Sequence, residues 1–291
     1  MWHAQRLRAT EARPTAYYHP RMTAAASDAL SAELIGLDEA PRQAPPFSAR
    51  YPGLTAESGY RAAAQLHAHR LARGWKPLGR KIGFTNRTLW ERYGVHEPMW
   101  GTVYDRTMLI AAGDRVTIPL AGLVQPRIEP EICFKLKAVP RATRDPQEML
   151  AAIEWVAHSV EIVQCYHPGW KVTLPDCTAA NGLHGRLVHG TPTPISKLPG
   201  LAAALAAVEV TLSKSGSVVD RGTGANVLGS PLLALAHFVD VLARQRWAPA
   251  LGAGEIITTG VLTDAHAVKP GETWTTSLRG LPLPGLTVTF A

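Results

Sequence analysis

What this chain lacks narrows its possibilities first. Its three cysteines, Cys133, Cys165 and Cys177, form no C-x-x-C pair and sit in apolar or mixed segments, so reduced, buried thiols are expected rather than a redox or zinc role. No uninterrupted run of about 18 apolar residues is present. Met1 to Tyr18 offers no apolar stretch suited to a secretory signal, so a cytoplasmic protein with no membrane partner is expected. Lys and Arg outnumber Asp and Glu by 30 to 23, for a net charge of +7, yet no basic run is interleaved with aromatics, and nucleic acid is not an expected partner. A positive field of this kind equally draws in a small anion. Charged residues are scarce, 18% against 46% apolar over 291 residues, which argues against disorder and allows one large domain with a small appendage.

What is present divides the chain in three. Residues 1–21 carry four Arg against one Glu without an amphipathic period and read as a mobile arm or a non-native leader, with Met22 as the native start. Residues 22–78 read as a small helical module. Thr23 to Leu37 is rich in Ala and Leu, Pro41, Pro45 and Pro46 force an extended link, and a second helix opens at the N-cap Thr55 and ends near Arg73 and Gly74. Residues 79–291 change to short β-branched runs broken by Gly, Pro and Asp, such as Arg115 to Pro119, Ile128 to Leu136, Val208 to Ser213, Glu255 to Val261 and Leu286 to Phe290. Two helices interrupt them, one opening at Asp145-Pro146 and expected to run to Ala157, the other opening at Ser230-Pro231 and ending near Trp247.

The most informative stretch is Gln125-Pro126-Arg127-Ile128-Glu129-Pro130-Glu131-Ile132-Cys133-Phe134. Strict alternation assigns Ile128, Ile132 and Phe134 to the core and puts Gln125, Arg127, Glu129 and Glu131 on the other face. Two carboxylates within about 7 Å on one strand either face solvent, with Arg127 as counter-ion, or share a cation. A third, Glu161 in Val160-Glu161-Ile162-Val163, lies among apolar neighbours and needs a partner. Three carboxylates suit Mg2+ or Mn2+ through oxygen, and the lack of His or Cys at ligand spacing argues against zinc.

Several stretches, in unbroken order from about residue 79 onward, resemble one family. They include Gly79-Arg80-Lys81-Ile82-Gly83-Phe84-Thr85, Gln125 to Ile132, Ala152 to Val156 and Ser159 to Val163. Trp170 to Asn181, Arg221-Gly222 with Val227 to Pro231, and Gly254 to Gly260 complete the set. Together they resemble the 2-keto-4-pentenoate hydratase and 4-oxalocrotonate decarboxylase branch of the fumarylacetoacetate hydrolase superfamily.

The resemblance implies an α+β fold, a mixed β-roll with a small helical N-terminal module. It also implies metal ligands at Glu129, Glu131 and Glu161, and a substrate-facing Lys81 that either exchanges protons or neutralises the substrate carboxylate. Asp105 matches an acidic loop position of some members and is expected to assist Lys81, while Arg127, Asp176, Asn181 and His184 are the expected substrate contacts. The family's D-x-x-x-D-N-A-S segment is altered here to Asp176-Cys177-Thr178-Ala179-Ala180-Asn181-Gly182-Leu183, so His184 and His167 stand as replacement contacts.

The expected reaction is Mg2+-dependent hydration of a 2-hydroxy-2,4-dienoate to a 4-hydroxy-2-keto acid. Decarboxylation of a vinylogous 2-keto diacid uses the same ligands. Hydrolysis of an acylpyruvate relies in other branches on a His and Glu pair in the N-terminal region, and no such pair is assignable here. A homo-oligomer, associated with a neighbouring pathway enzyme, is the expected assembly; a non-catalytic assembly partner is the non-enzyme reading, and the intact three-Glu set argues against it.

Overall fold

In chain order the helices begin with α1 (Ala24–Glu39), α2 (Phe47–Arg50) and α3 (Ala56–Ala72). This computed structural model describes residues 22–291, so the reading of residues 1–21 as an arm or leader lies outside the described residues, as do the side chains of Leu89 and Arg92. Thr23 caps α1 by accepting from Ala26 N at 3.2 Å. Thr55 caps α3 in a reciprocal box closed by Ser58, with Ser58 N to Thr55 Oγ1 at 3.2 Å and Thr55 N to Ser58 Oγ at 2.9 Å. Further along lie α4 (Trp90–Tyr93), α5 (Pro146–Ala151), α6 (Leu174–Ala179), α7 (Leu201–Ala207) and α8 (Pro231–Arg244). By length and composition Gly224–Arg244 is apolar enough to cross a membrane, but 61% of its most apolar window is buried in the fold.

The strands begin with β1 (Pro77–Gly83), β2 (Met99–Tyr104), β3 (Met108–Ile110), β4 (Arg115–Ile118), β5 (Arg127–Leu136), β6 (Ile153–Val163) and β7 (His184–His189). They continue with β8 (Thr193–Pro194), β9 (Glu209–Lys214), β10 (Ser217–Thr223), β11 (Ile256–Thr258), β12 (His266–Ala267), β13 (Thr273–Arg279) and β14 (Thr287–Phe290). A nine-stranded mixed sheet runs β2-β1-β11-β5-β6-β7-β3, with β12 paired to β5 and β8 to β6. A second, five-stranded sheet runs β10-β9-β13-β14-β4. The architecture is α+β.

Three apolar clusters hold these layers together. Leu232, Leu235 and Phe238 of α8 pack with Ile82, Ile132 and Phe134 of the large sheet. Ile128, Val160 and Ile162 face Leu212, Trp274, Val288 and Phe290 of the small one. Leu30, Leu34 and Leu66 of α1 and α3 bury against Cys177 and Ala179 of α6. All three cysteines are free and buried.

One sequence expectation is corrected. The helix opening at Asp145 stops at Ala151, and Ile153 and Val156, expected on its apolar stripe, already belong to β6. Its continuation pairs with β5 from Leu136↔Ile153 to Arg127↔Val163. An apolar stripe in a short window fits either period, and here the partner strand decides.

Candidate active site

The candidate site is built on the register of two strands. β5 and β6 are antiparallel with Glu129 directly opposite Glu161 and Glu131 opposite Ser159. Side chains alternate along a strand, so this register puts Glu129, Glu131 and Glu161 on one face, and a slip of one residue would turn Glu161 to the other. One carboxylate oxygen from each lies within 4.8 Å of the others. Glu131 and Glu161 are fully buried, whereas Glu129 is half-buried at a cleft.

Neighbouring strands supply the surroundings. β1 lies parallel to β11, with Lys81 opposite Thr258, and carries the Lys81 ammonium to 3.3 Å from Glu161 Oε2. Just past β11, Gly260 N donates to Glu131 Oε2 at 2.9 Å. Gly260 has φ +98°, and a Cβ there would fall 1.9 Å from Thr85 Oγ1, so only glycine fits this turn. His184, at the start of β7, contacts Glu161 Oε1 through Nδ1 at 2.8 Å.

Electrostatics set the charge states. Burial pushes the Glu129 carboxyl up to about 7, with Lys81 opposing and Glu161 reinforcing the rise. Burial, then Glu161 and Glu129, hold Glu131 well above the carboxylate range. Burial also works to raise Glu161, but Lys81 and His184 outweigh it and hold that carboxyl below its ordinary value. For Lys81, burial opposes the charge, yet Glu161, Glu129 and Glu131 keep its pKa above the ordinary value. Burial lowers His184 despite Glu161, which favours the neutral imidazole.

The residues present fit a hard divalent cation. Three carboxylates share one buried ammonium, so positive charge is in deficit. Among the described residues Glu131 Oε1 is buried without a hydrogen-bond partner, and Glu161 Oε2 has only the Lys81 ammonium beside it. Buried oxygens with unspent lone pairs are costly unless a cation takes them up, and an all-oxygen donor set suits Mg2+, Mn2+ or Ca2+.

A cleft of about 360 Å³ opens onto this cluster and is lined by Lys81, Thr85, Tyr93, Arg127, Glu129, Trp170, Gly260 and Asp264, among others. The Arg127 guanidinium stacks over Trp170 with its carbon 4.3 Å from the ring centroid. Arg127 forms no ion pair among the described residues, so its N–H donors remain available to an anion in the cleft.

Other expected site residues lie elsewhere. Asp105 is exposed in the turn after β2, accepting from Lys76 N and Arg106 N, each at 2.9 Å. In the β1–β2 pairing that turn lies beyond Tyr104↔Pro77, whereas Lys81 faces Gly101, so the strand holds Asp105 roughly four residues, or about 13 Å, from Lys81. Asp105 is therefore corrected to a turn residue.

Asp176 is fully buried at the start of α6 and accepts from Ser48 N and Thr173 N at 2.8 Å and from both their hydroxyls at 2.7 Å. Those four bonds leave it joining α2 to α6 instead of meeting a substrate. Asn181 bonds both backbone groups of Thr102, N at 2.8 Å and O at 3.0 Å, and lines a different cavity, with Tyr60 and Trp100. His184 stands behind Glu161, outside the cleft lining, and His167 is buried against Phe47 with Nδ1 toward Ala44 O at 3.1 Å. Gly260 and Thr107, which contacts His184 at 2.8 Å, were not singled out from sequence. The first lies at the end of the Gly254 to Gly260 stretch that carries part of the resemblance, and no signal existed for the second.

No family model matches the chain. Among curated proteins, it is 36% identical over 210 residues to a 4-oxalocrotonate decarboxylase of Pseudomonas sp, covering 71% of this chain and 76% of that protein. It is 34% identical over 237 residues to a 2-keto-4-pentenoate hydratase of Paraburkholderia xenovorans, covering 81% and 85%. Among solved structures, it superposes on the 4-oxalocrotonate decarboxylase from Pseudomonas putida G7, complexed with magnesium and adipate, with a TM-score of 0.83 at 25% identity over 94% of this chain and 100% of the other.

Proposed function

The chain belongs to the 2-keto-4-pentenoate hydratase and 4-oxalocrotonate decarboxylase branch of the fumarylacetoacetate hydrolase superfamily, and from that membership we propose a metal-dependent lyase that hydrates a short 2-hydroxy-2,4-dienoate, or its keto tautomer, to a 4-hydroxy-2-keto acid. The observation that carries this reading is the trio of Glu129, Glu131 and Glu161, two of them buried and Glu129 opening on a cleft that Lys81 also lines. These three residues would hold the cation, with Mg2+ the proposed ion and Mn2+ a substitute. When bound there, the ion supplies Lewis acidity to a chelating 2-oxo carboxylate and stabilises charge developing on its carbonyl oxygen.

The chain's own groups do the rest. Lys81 is a buried ammonium facing the cleft, held protonated by the carboxylates, so it enters the reaction as a cation and proton donor. Adding water to the conjugated alkene places a proton on carbon and a hydroxyl on its neighbour; Lys81 is the donor for that proton, and the proton that the attacking water releases restores its ammonium. Arg127 orients the anionic substrate, and the Trp170 ring fixes the plane of its guanidinium. Assembly as a homo-oligomer belongs to this reading; the exposed Ile110, Val139 and Val218 are apolar surface for it, and sedimentation checks it.

A second reading, decarboxylation of a 2-keto diacid, is favoured by the unpaired Arg127 and by the diacid adipate in the structural relative. One experiment separates the two. Ultraviolet decay of a dienoate is followed with Mg2+, with and without chelator, while carbon dioxide is measured in parallel. Loss of the diene without carbon dioxide is the expected result, carbon dioxide release assigns the second reading, and no metal-dependent change with any 2-keto acid refutes both.

A further inference from the structure

Behind Glu161, on the side away from the cleft, lies a pair of polar side chains that the reaction itself does not use. His184 and Thr107 are 3% and 4% exposed, and neither lines the cleft. His184 Nδ1 lies 2.8 Å from Glu161 Oε1, and its Nε2 lies 2.8 Å from Thr107 Oγ1. A neutral imidazole has one N–H and one lone pair, so these contacts cannot be assigned independently.

The Thr107 hydroxyl has one proton and two acceptors within reach, Tyr104 O at 3.1 Å and His184 Nε2 at 2.8 Å. Were that proton given to Tyr104 O, His184 would carry its own on Nε2, and the bare Nδ1 would face the Glu161 carboxylate lone pair to lone pair in a buried site. The other assignment leaves no conflict. Thr107 Oγ1 accepts from Tyr104 N at 3.0 Å and donates to Nε2, Nδ1–H donates to Glu161, and Tyr104 O still receives Thr107 N at 3.0 Å.

We propose that Thr107 and His184 are a positioning pair that holds Glu161 Oε1 through one fixed imidazole tautomer, so that Oε2 is the oxygen presented to Lys81 and to the cation. The inference rests on the metal reading of Glu161 given above. Thr107 is the remote member, reaching neither cation nor substrate, and acts only through the proton on His184. Partners of this kind tune metal affinity because they fix the orientation of a ligand and how much of its charge is already shared.

The test begins with metal-free protein labelled at histidine with 15N, His184 being assigned by its loss in the His184→Asn variant. The expected ring-nitrogen signature is the Nδ1–H tautomer in the wild type and in Thr107→Ser, and its loss in Thr107→Val. Mn2+ binding, followed by electron paramagnetic resonance, is expected to weaken about tenfold or more in Thr107→Val and to recover in Thr107→Ser. In the His184→Asn background, where the amide supplies its own donor toward Glu161, Thr107→Val should cost no further affinity. A wild-type His184 protonated on Nε2 overturns the proposal whether or not any variant folds. So does Thr107→Val with wild-type Mn2+ affinity, or an equal loss in both backgrounds. Failure of the wild type itself to bind Mn2+ refutes the metal reading, and is distinguishable because it precedes any substitution.

Discussion

Glu131 and Asp176 are both fully buried acids, and their surroundings give them opposite tasks. Glu131 receives one hydrogen bond, from Gly260 N, and faces two further carboxylates, so burial and those neighbours disfavour its ionised form until a cation arrives. Glu131→Gln keeps the volume and removes the charge. Metal-dependent turnover and Mn2+ binding should be lost, while the metal-free variant melts close to the wild-type temperature, because burial and the neighbouring carboxylates already favour the neutral Glu131 carboxyl when no cation is bound; calorimetry without metal checks this, and a large drop in melting temperature contradicts it. Asp176, by contrast, is satisfied four times over. Burial works to raise its pKa, but the bonds from Ser48 and Thr173 outweigh it and hold the carboxyl below its ordinary value. A depressed folded-state pKa means stability present in full above the unfolded-state pKa and lost as pH falls through the folded one. Asp176→Asn should cost about 2–4 kcal/mol at neutral pH, as two or more buried acceptor contacts fail, and the deficit should shrink as both proteins are titrated into acid. Denaturant melts at several pH values test it; a deficit independent of pH would show the charge to be irrelevant. In sequence Glu131 is marked by Glu129 on the same strand face, but nothing there sets Asp176 apart from a site residue. Only the partners that the fold brings to them separate a candidate ligand from a helix cap.

At the scale of elements the decisive object is the β5–β6 pair. Period-two alternation from Arg127 to Phe134 announced which face each Glu takes, and the structure keeps Ile128, Ile132 and Phe134 in the core. Where β6 begins was not legible, because Met149, Leu150, Ile153 and Val156 suit a helical stripe as well as a strand. The turn after β11 is equally hidden, although it brings Gly260 N to Glu131. Gly260→Ala places a Cβ at a φ of +98° against Thr85 Oγ1. The expected result is a loss of about 1–3 kcal/mol in stability from the backbone strain, with weaker Mn2+ binding because the amide donor to Glu131 shifts. Thermal melts with parallel metal titration measure both, and an unchanged affinity would detach this turn from the site. A smaller close approach occurs where α3 crosses α6: a Cβ on Gly59 would meet Thr178 Oγ1 at 2.3 Å, which is why a glycine interrupts an otherwise strong helix.

For the whole molecule, the cation reading makes stability depend on metal. If the ion binds the folded chain alone, saturation at one hundred times the dissociation constant adds about 2.7 kcal/mol. Chelator should therefore lower the melting temperature and abolish turnover together, with Mg2+ restoring both; a melting temperature indifferent to chelator and Mg2+ contradicts a buried site. By itself the sequence determined the class of most elements, the caps at Thr55 and Asp145, the helix start at Ser230, and the alternation that sets Glu129 and Glu131 side by side. Those are local properties, written in spacing of two or 3.6 residues and in the chemistry of single turns. The tertiary structure alone decided that Glu161 stands opposite Glu129, that Lys81 reaches Glu161 from β1, and that Asp105 and Asp176 stand apart from the cleft. Register, strand order and close approach join residues tens of positions apart, and their energies come from cores assembled by the whole chain. No local pattern carries that information.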